Sequence, residues 1–319
     1  MRLPAFHGRN APVLQGFMRR FGPVLLAALA LLACRRPPAV DPAYLAAVDA
    51  ARARRMAELT SEDGWLSLVA RELLAPGENV VGSDPSAALV LEDPGIPARA
   101  CTFDLRPDGT VVLRAGAGAP VAVNGGPPTP APLVPESDGE RHDVVTVGRV
   151  RISLLLKDGR VLVRARDPES PRRAGFTGLK YFPVDPAYRV EGAYEPYAAP
   201  REIDVPSSRG PARKALAPGI VRFTLAGREL ALEPTVESPE DETLFFVFSD
   251  ATAGTESYGG GRFLHAKKPK PGEAKVALDF NLAENPPCSL TPFASCPLAL
   301  RKNTLPVRVE AGEKTPADH

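Results

Sequence analysis

Short apolar segments separated by unavoidable turns constrain this chain more than any other feature. It carries 36 Pro and 27 Gly in 319 residues. Proline withholds an amide donor and glycine admits left-handed backbone, so both interrupt regular structure. The pairs Asp108-Gly109, Asn124-Gly125 and Asp158-Gly159 fall between stretches that alternate apolar and polar residues, the pattern of tight hairpins. Strands are expected over 79–82, 89–91, 100–105, 110–113, 121–123, 144–147, 151–156 and 160–165. A second series is expected over 188–194, 203–205, 220–225, 228–233, 244–250, 257–265, 275–281 and 305–310. The proline-laden stretch 127–135 bars a central strand there. The fold class is therefore all-β, or β-dominated, with antiparallel sheets.

One segment departs from this pattern. Over 41–60, Asp41 stands at an N-cap, Pro42 at the first helical position, and Tyr44, Leu45, Val48 and Met56 recur at helical spacing. This single amphipathic helix is either a spacer or an element docked on a sheet. Just after it, Leu66, Leu68, Val69, Leu73 and Leu74 suit either a hairpin arm or a helix.

The aromatic residues divide the rest. Phe103 is the only one between Leu66 and Gly175, and most of the others lie from Phe176 onward. Two cores follow, one aliphatic and one aromatic, in a body over 61–172 and another over 173–319.

The N-terminus carries a different message. Arg2, Arg9, Arg19 and Arg20 precede an apolar run from Pro23 to Ala33, with no acidic residue, and Cys34 closes the run. A run this short is a cleaved export signal and not a span, which needs about 20 apolar residues. Leu31-Leu32-Ala33-Cys34 resembles the lipobox of bacterial lipoproteins, in which the cysteine is acylated after cleavage. That resemblance implies a signal peptide over 1–33, a lipid on Cys34, and a tether and helix over 34–60. Arg35, where aspartate would stand in an inner-membrane protein, points to the periplasmic face of the outer membrane in a cell with two membranes. Loss of the four signal arginines takes the formal net charge from +1 to about −3. With no clustered excess of Lys and Arg, nucleic acid is not an expected partner.

Signatures of known chemistry are missing. No nucleophile elbow, His-Glu-x-x-His or phosphate-cradling glycine loop occurs, and no cofactor or metal is expected. Tyr258-Gly-Gly-Gly-Arg262 is glycine-rich but leads into a strand, as a bulge does. Once His7 is cleaved and the terminal His319 set aside, His142 and His265 remain. Cys101 reads as a small buried hydrophobe. Cys288 and Cys296 lie in one proline-rich loop of an exported chain and are expected to form a disulfide; no His or second Cys pair stands near for zinc.

The polar residues Asp250, Tyr258, Arg262, Asp279, Asn281 and Asn285 sit at ends of neighbouring candidate strands. Converging on one rim, Asp250, Tyr258, Arg262 and Asp279 make an acid–base or clamp set, with Asn281 and Asn285 as binding groups. An ion pair closing the sheet, with the asparagines capping turns, is the favoured reading. Arg166, Asp167 and Glu169 are likewise read as a salt bridge between bodies.

Two resemblances add to this. Val81-Gly-Ser-Asp84, Asn124-Gly125 and the closing Val147-Gly148 are similar to a forkhead-associated (FHA) β-sandwich, a family that binds phosphothreonine through loop residues. Ser83 replaces that family's arginine and Pro97-Ala-Arg-Ala100 its Ser-x-x-His loop, so the resemblance implies the fold and not the activity. Over roughly 64–314 the chain resembles a bacterial family known as domain of unknown function 1684. The segments carrying this are Gly64-Trp-Leu-Ser-Leu68, Val81-Gly-Ser-Asp-Pro85, Arg166-Asp-Pro-Glu-Ser170, Tyr181-Phe-Pro-Val-Asp185, Asp250-Ala-Thr-Ala-Gly254, Tyr258-Gly-Gly-Gly-Arg-Phe-Leu264, Asp279-Phe-Asn281 and Asn285-Pro-Pro-Cys288.

The functional expectation is a lipid-anchored cell-envelope protein that binds a protein or glycan without chemistry. An envelope hydrolase built on the Asp250, Tyr258, Arg262 and Asp279 rim is the alternative. If Cys34 bears the lipid, Cys34→Ser moves the protein from the membrane to the soluble fraction on cell fractionation, whereas equal sedimentation with lipid overturns the anchor.

Overall fold

The computed structural model describes residues 40–136, 142–157 and 159–316. Cys34, the signal segment, Asp158 and His319 lie outside the described residues. The described residues from 43 onward form one compact unit. Its order begins with α1 (Pro42–Thr60), β1 (Leu68–Leu73), β2 (Gly77–Gly82), β3 (Leu89–Val90), β4 (Cys101–Leu105) and β5 (Val111–Ala115). It continues with β6 (Val121–Val123), β7 (Val144–Val147), β8 (Val150–Lys157), β9 (Arg160–Arg166) and a single turn, α2 (Pro171–Ala174). The second half contributes β10 (Arg189–Val205), β11 (Arg213–Leu225), β12 (Arg228–Leu232), β13 (Thr243–Phe248), β14 (Arg262–Lys267) and β15 (Lys275–Asp279). The protein is thus β-dominated, with antiparallel sheets and one long helix at its N-terminal side.

The first nine strands form a β-sandwich. One sheet runs β1-β9-β8-β7-β6 and the other β3-β2-β4-β5. Alternation puts Ile152, Leu154, Val163 and Ala165 of the first sheet against Val81, Phe103, Val111 and Leu113 of the second. Phe103 is fully buried at the centre of this aliphatic core. The ambiguous leucine-rich segment after α1 becomes β1, because pairing with β9 fixes Ala70 inward and leaves Leu73 exposed.

The second half builds a sheet β12-β11-β10-β15 and the hairpin β13-β14. Between them Phe223, Phe246, Phe248 and Phe280 are packed with Leu232, Leu264 and Leu278. Phe248 meets Phe280 edge-on at 5.2 Å between centroids, an arrangement the ring quadrupoles favour.

Three strand expectations differ from what is found. Of the segment 257–265 only the part from Arg262 onward is strand, β14. The segments 188–194 and 203–205 belong to one long strand, β10, whose pairing with β11 skips between Pro196 and Arg201. Pro196 and Pro200 lack amide donors, so the ladder breaks there and resumes. The segment 305–310 is no strand. It runs beside 249–251, with the Leu305 amide on the Ser249 carbonyl and the Ala251 amide on the Val307 carbonyl, and beyond that Arg262 takes the carbonyls.

Arg262 holds this C-terminal strap down. Its guanidinium is 1% exposed; it pairs with Asp250 at 2.7 Å and donates to the carbonyls of Val309 at 2.9 Å, Glu313 at 3.4 Å and Ala311. Asp250 in turn accepts from the backbone N–H of Thr252 at 2.8 Å and of Val309 at 3.1 Å. The rings of Phe248 and Phe182 lie 5.2 and 5.8 Å from the guanidinium carbon. Gly261, before the arginine, has φ +93°, and a Cβ there would stand 2.7 Å from the Phe248 carbonyl. That requirement explains the last glycine of Tyr258-Gly-Gly-Gly-Arg262.

Removing one partner of a buried, hydrogen-bonded pair strands the other charge, at a cost of about 3–5 kcal/mol. Arg262→Ala is therefore expected to lower the denaturant midpoint by the equivalent of that range; a loss below about 1 kcal/mol would show that the strap does not depend on it.

Candidate functional site

The six residues expected to share a rim are distributed among four internal networks. Asp250 and Arg262 form the buried pair just described. Asp279 belongs to a seam with α1, where Tyr44 Oη donates to both its carboxylate oxygens at 2.9 Å. Asn281, 1% exposed, donates to Tyr44 Oη at 3.0 Å and to the Asp185 carbonyl at 2.8 Å. Asn285, fully buried, donates its backbone N–H to Glu313 at 2.7 Å and its amide to the Lys314 carbonyl at 2.7 Å. Tyr258 Oη approaches Cys288 Sγ at 3.8 Å. These side chains hold the second body and its helix together.

The expected Cys288–Cys296 disulfide is not formed, and Cys101, Cys288 and Cys296 are free thiols. The short turn Pro287–Ser289 aims the Cys288 amide at Cys296 Sγ, 3.2 Å away, and the two thiols also hydrogen-bond to each other. The hydrogen bond from Cys296 holds the Cys288 thiol down at about 6, and Cys296 is pushed up in turn. Cys288 also borders a cleft of about 440 Å³ with Phe176 and Leu290. The expected bridge involving Arg166 is not made either: Asp167 pairs bidentately with Arg149 at 2.7 and 2.9 Å.

Between the helix and the second body lies a small cavity of about 200 Å³, lined by Arg52, Arg55, Tyr181, His265, Glu284 and Glu313. The Arg52 guanidinium carbon stands 4.2 Å from the Tyr181 ring centroid, and Arg55 donates to the Asn285 carbonyl at 2.8 Å. Burial pushes the Glu313 carboxyl up to about 7, against the pull of Arg55 at 3.3 Å.

A larger opening, of about 750 Å³, adjoins His265 on its other side. Alternation along β13 and β14 sends Leu244, Phe246, Phe248 and Leu264 into the core and leaves Phe245, Phe263 and His265 on the opposite face. Phe245 meets Phe263 edge-on at 4.9 Å and His265 at 4.9 Å. Partial burial lowers the affinity of His265 for a proton, so near neutral pH the ring is uncharged. Leu216, Val236 and Pro297 extend the apolar wall, while Thr235, Thr243, the carboxylates of Glu202, Glu237 and Asp241 and the cations Arg213 and Lys214 supply polar atoms. Sequence reading missed this cleft. Its one signal was that both faces of a Phe-rich hairpin are apolar, which a solvated strand has no reason to be.

Among the described residues, no group of three or more His, Cys, Asp or Glu is placed to hold a metal ion. Where the FHA resemblance places loop chemistry, Ser83 Oγ donates to the Ile96 carbonyl at 2.8 Å and Arg99 is exposed.

The raised Glu313 carboxyl has a definite sign. A pKa raised from 4.5 to about 7 gives a contribution to stability that is complete below 4.5 and lost as pH rises through 7. Unfolding by urea across that window should show the wild type weakening with rising pH and Glu313→Gln showing a flatter profile. An unchanged slope in the variant excludes Glu313 as the group responsible.

No curated protein matches the chain. A family model described as protein of unknown function (DUF1684) matches residues 174–314. An uncharacterized protein of Haloarcula marismortui, solved by NMR, is 35% identical, covering 48% of this chain and 83% of its own, with a TM-score of 0.40. The FHA domain of FhaA, crystallised with the intracellular domain of a second protein, is 19% identical, covering 30% of this chain and 96% of its own, with a TM-score of 0.21. Through residues 174–314 this chain belongs to the DUF1684 family of proteins of unknown function.

Proposed function

We propose that this is a lipid-anchored cell-envelope protein whose second body is a non-catalytic binding module for a glycan. The observation that carries the reading is the open cleft walled by Phe245, Phe263 and His265. A concave, largely apolar site with a few polar groups at its edge is the usual form of a ligand site. Aromatic faces suit the C–H surfaces of sugar rings, and the carboxylates of Glu202 and Glu237 with the hydroxyls of Thr235 and Thr243 suit sugar hydroxyls.

Chemistry is disfavoured by where the acid and base candidates have gone. Asp250 and Arg262 are 1% exposed and satisfy each other, and the Asp279 carboxylate is engaged by Tyr44. A hydrolase needs such groups within reach of a substrate. The anchor rests on the lipobox resemblance at Cys34 and supports placement at the periplasmic face of the outer membrane.

Titration calorimetry of the exported domain with soluble cell-wall oligosaccharides tests the glycan. Phe263→Ala, which removes one stacking ring, should weaken binding about tenfold without changing the melting midpoint by more than a few degrees. If no saccharide binds and in-cell cross-linking at Phe263 captures a specific protein instead, the partner is a protein and the glycan reading fails.

A further inference from the structure

The outward face of the first sheet carries four arginines in one row. Arg71 on β1 is the direct neighbour of Arg164 on β9, and Arg166, two residues along β9, is the direct neighbour of Arg151 on β8. Directly opposed residues stand about 5 Å apart at Cβ, and like charges so placed repel. Guanidinium groups stay protonated under all ordinary conditions, so the repulsion is not relieved by titration.

Among the described residues, only two of the four are ion-paired. Glu136 pairs with Arg164, and Glu62 and Asp63 pair with Arg151 at 3.4 and 3.1 Å. Arg71 and Arg166 have no ion-pair partner among the described residues. The Nε atoms of Arg151, Arg164 and Arg166 are buried without a hydrogen-bond partner among the described residues. Each is a charged donor left unsatisfied, which is costly and uncommon. Burial lowers the pKa of both Arg71 and Arg166, and neighbouring arginines lower it further, Arg209 and Arg213 adding to Arg164 at Arg71, against the opposing pull of Glu72 on Arg71 and of Glu136 and Asp63 on Arg166. The row still reaches solvent: the Arg151 and Arg164 side chains are 30% and 15% exposed.

We propose that this face is an oxyanion site for a phosphate-bearing ligand, with Arg166 at its centre. A phosphate group supplies several acceptor oxygens at the spacing guanidinium forks prefer, and two linked phosphates span neighbouring strands. The ligand satisfies the stranded donors and removes the mutual repulsion in one step. The site is distinct from the loop ends near Ser83 and Arg99, where the FHA resemblance puts phosphopeptide contacts; Arg213, which lines the aromatic cleft of the second body, lies within electrostatic reach of Arg71. The same chemistry is offered by soluble diphosphates and by anionic lipid headgroups.

The test uses the exported chain, inorganic pyrophosphate at constant ionic strength, and vesicles of phosphatidylcholine with or without phosphatidylglycerol. Pyrophosphate should raise the melting midpoint of the wild type, since a ligand that binds only the folded state stabilises it. Arg166→Gln should bind about tenfold more weakly or worse. It should also melt higher than the wild type without ligand, because a like-charge neighbour has been removed. Arg71→Gln, at the edge strand, gives the same pair of effects at smaller size and serves if Arg166→Gln fails to fold. Retention on the phosphatidylglycerol vesicles without a pyrophosphate shift assigns the headgroup as the source, provided both variants lose it. Binding by neither probe, or equal binding by wild type and variants, overturns the site.

Discussion

The C-terminal strap of the second body is organised around the pairing of Arg262 with Asp250. The segment from residue 304 onward has no strand of its own, and Pro306 forbids a regular ladder at its start. After a few backbone bonds to 249–251, a guanidinium with five donors takes over, gathering the carbonyls of Val309, Ala311 and Glu313 while Asp250 takes the Val309 amide. Once the strap is fixed, Glu313 is in place to receive Arg55 of α1 and the amide of Asn285. Gly312, at φ +75°, lets the backbone pass within reach of the Ala283 and Phe280 carbonyls, where a Cβ would stand 2.5 and 2.8 Å away. The helix, the hairpin and the strap are therefore one interlocked assembly. Buried ion pairs of this kind contribute little net stability against an apolar substitute, but they specify a single arrangement.

The sequence disclosed the fold more readily than the site, for a physical reason. Turn residues and two-residue alternation are local signals, and Asn124-Gly125 or the swing from Phe103 to the phenylalanines of β13 can be read without knowing any partner. The rim of polar residues could be listed from strand ends, yet its meaning depended on distances between residues tens of positions apart. Asp279 meets Tyr44 across 235 residues, and Asn285 meets Glu313 across 28. Nothing in periodicity says that Tyr44 will dock there and not remain on a free helix. The thiol pair shows the same limit, since eight residues of spacing permit either a disulfide or two hydrogen-bonded thiols.

Both surfaces with unmet physical demands lie away from the motifs that caught the eye. The aromatic cleft arises because the hairpin carries rings on the face that does not join the core. The arginine row arises because β8 and β9 place cations in register on the outer face of a sandwich whose inner face is fully packed. In each case a sheet's two faces serve different ends: one stabilises the body, and the other is left to what lies outside it.

The docking of α1 also determines how the molecule carries load. Its contacts with Asp279, Phe182, Asn285 and Glu313 are spread along the helix from Tyr44 to Arg55. Tension applied ahead of Pro42 is thus met by several bonds sheared in parallel, and it arrives directly at the C-terminal strap. A pull on this helix is therefore passed to the interior of the body and is not absorbed at its surface.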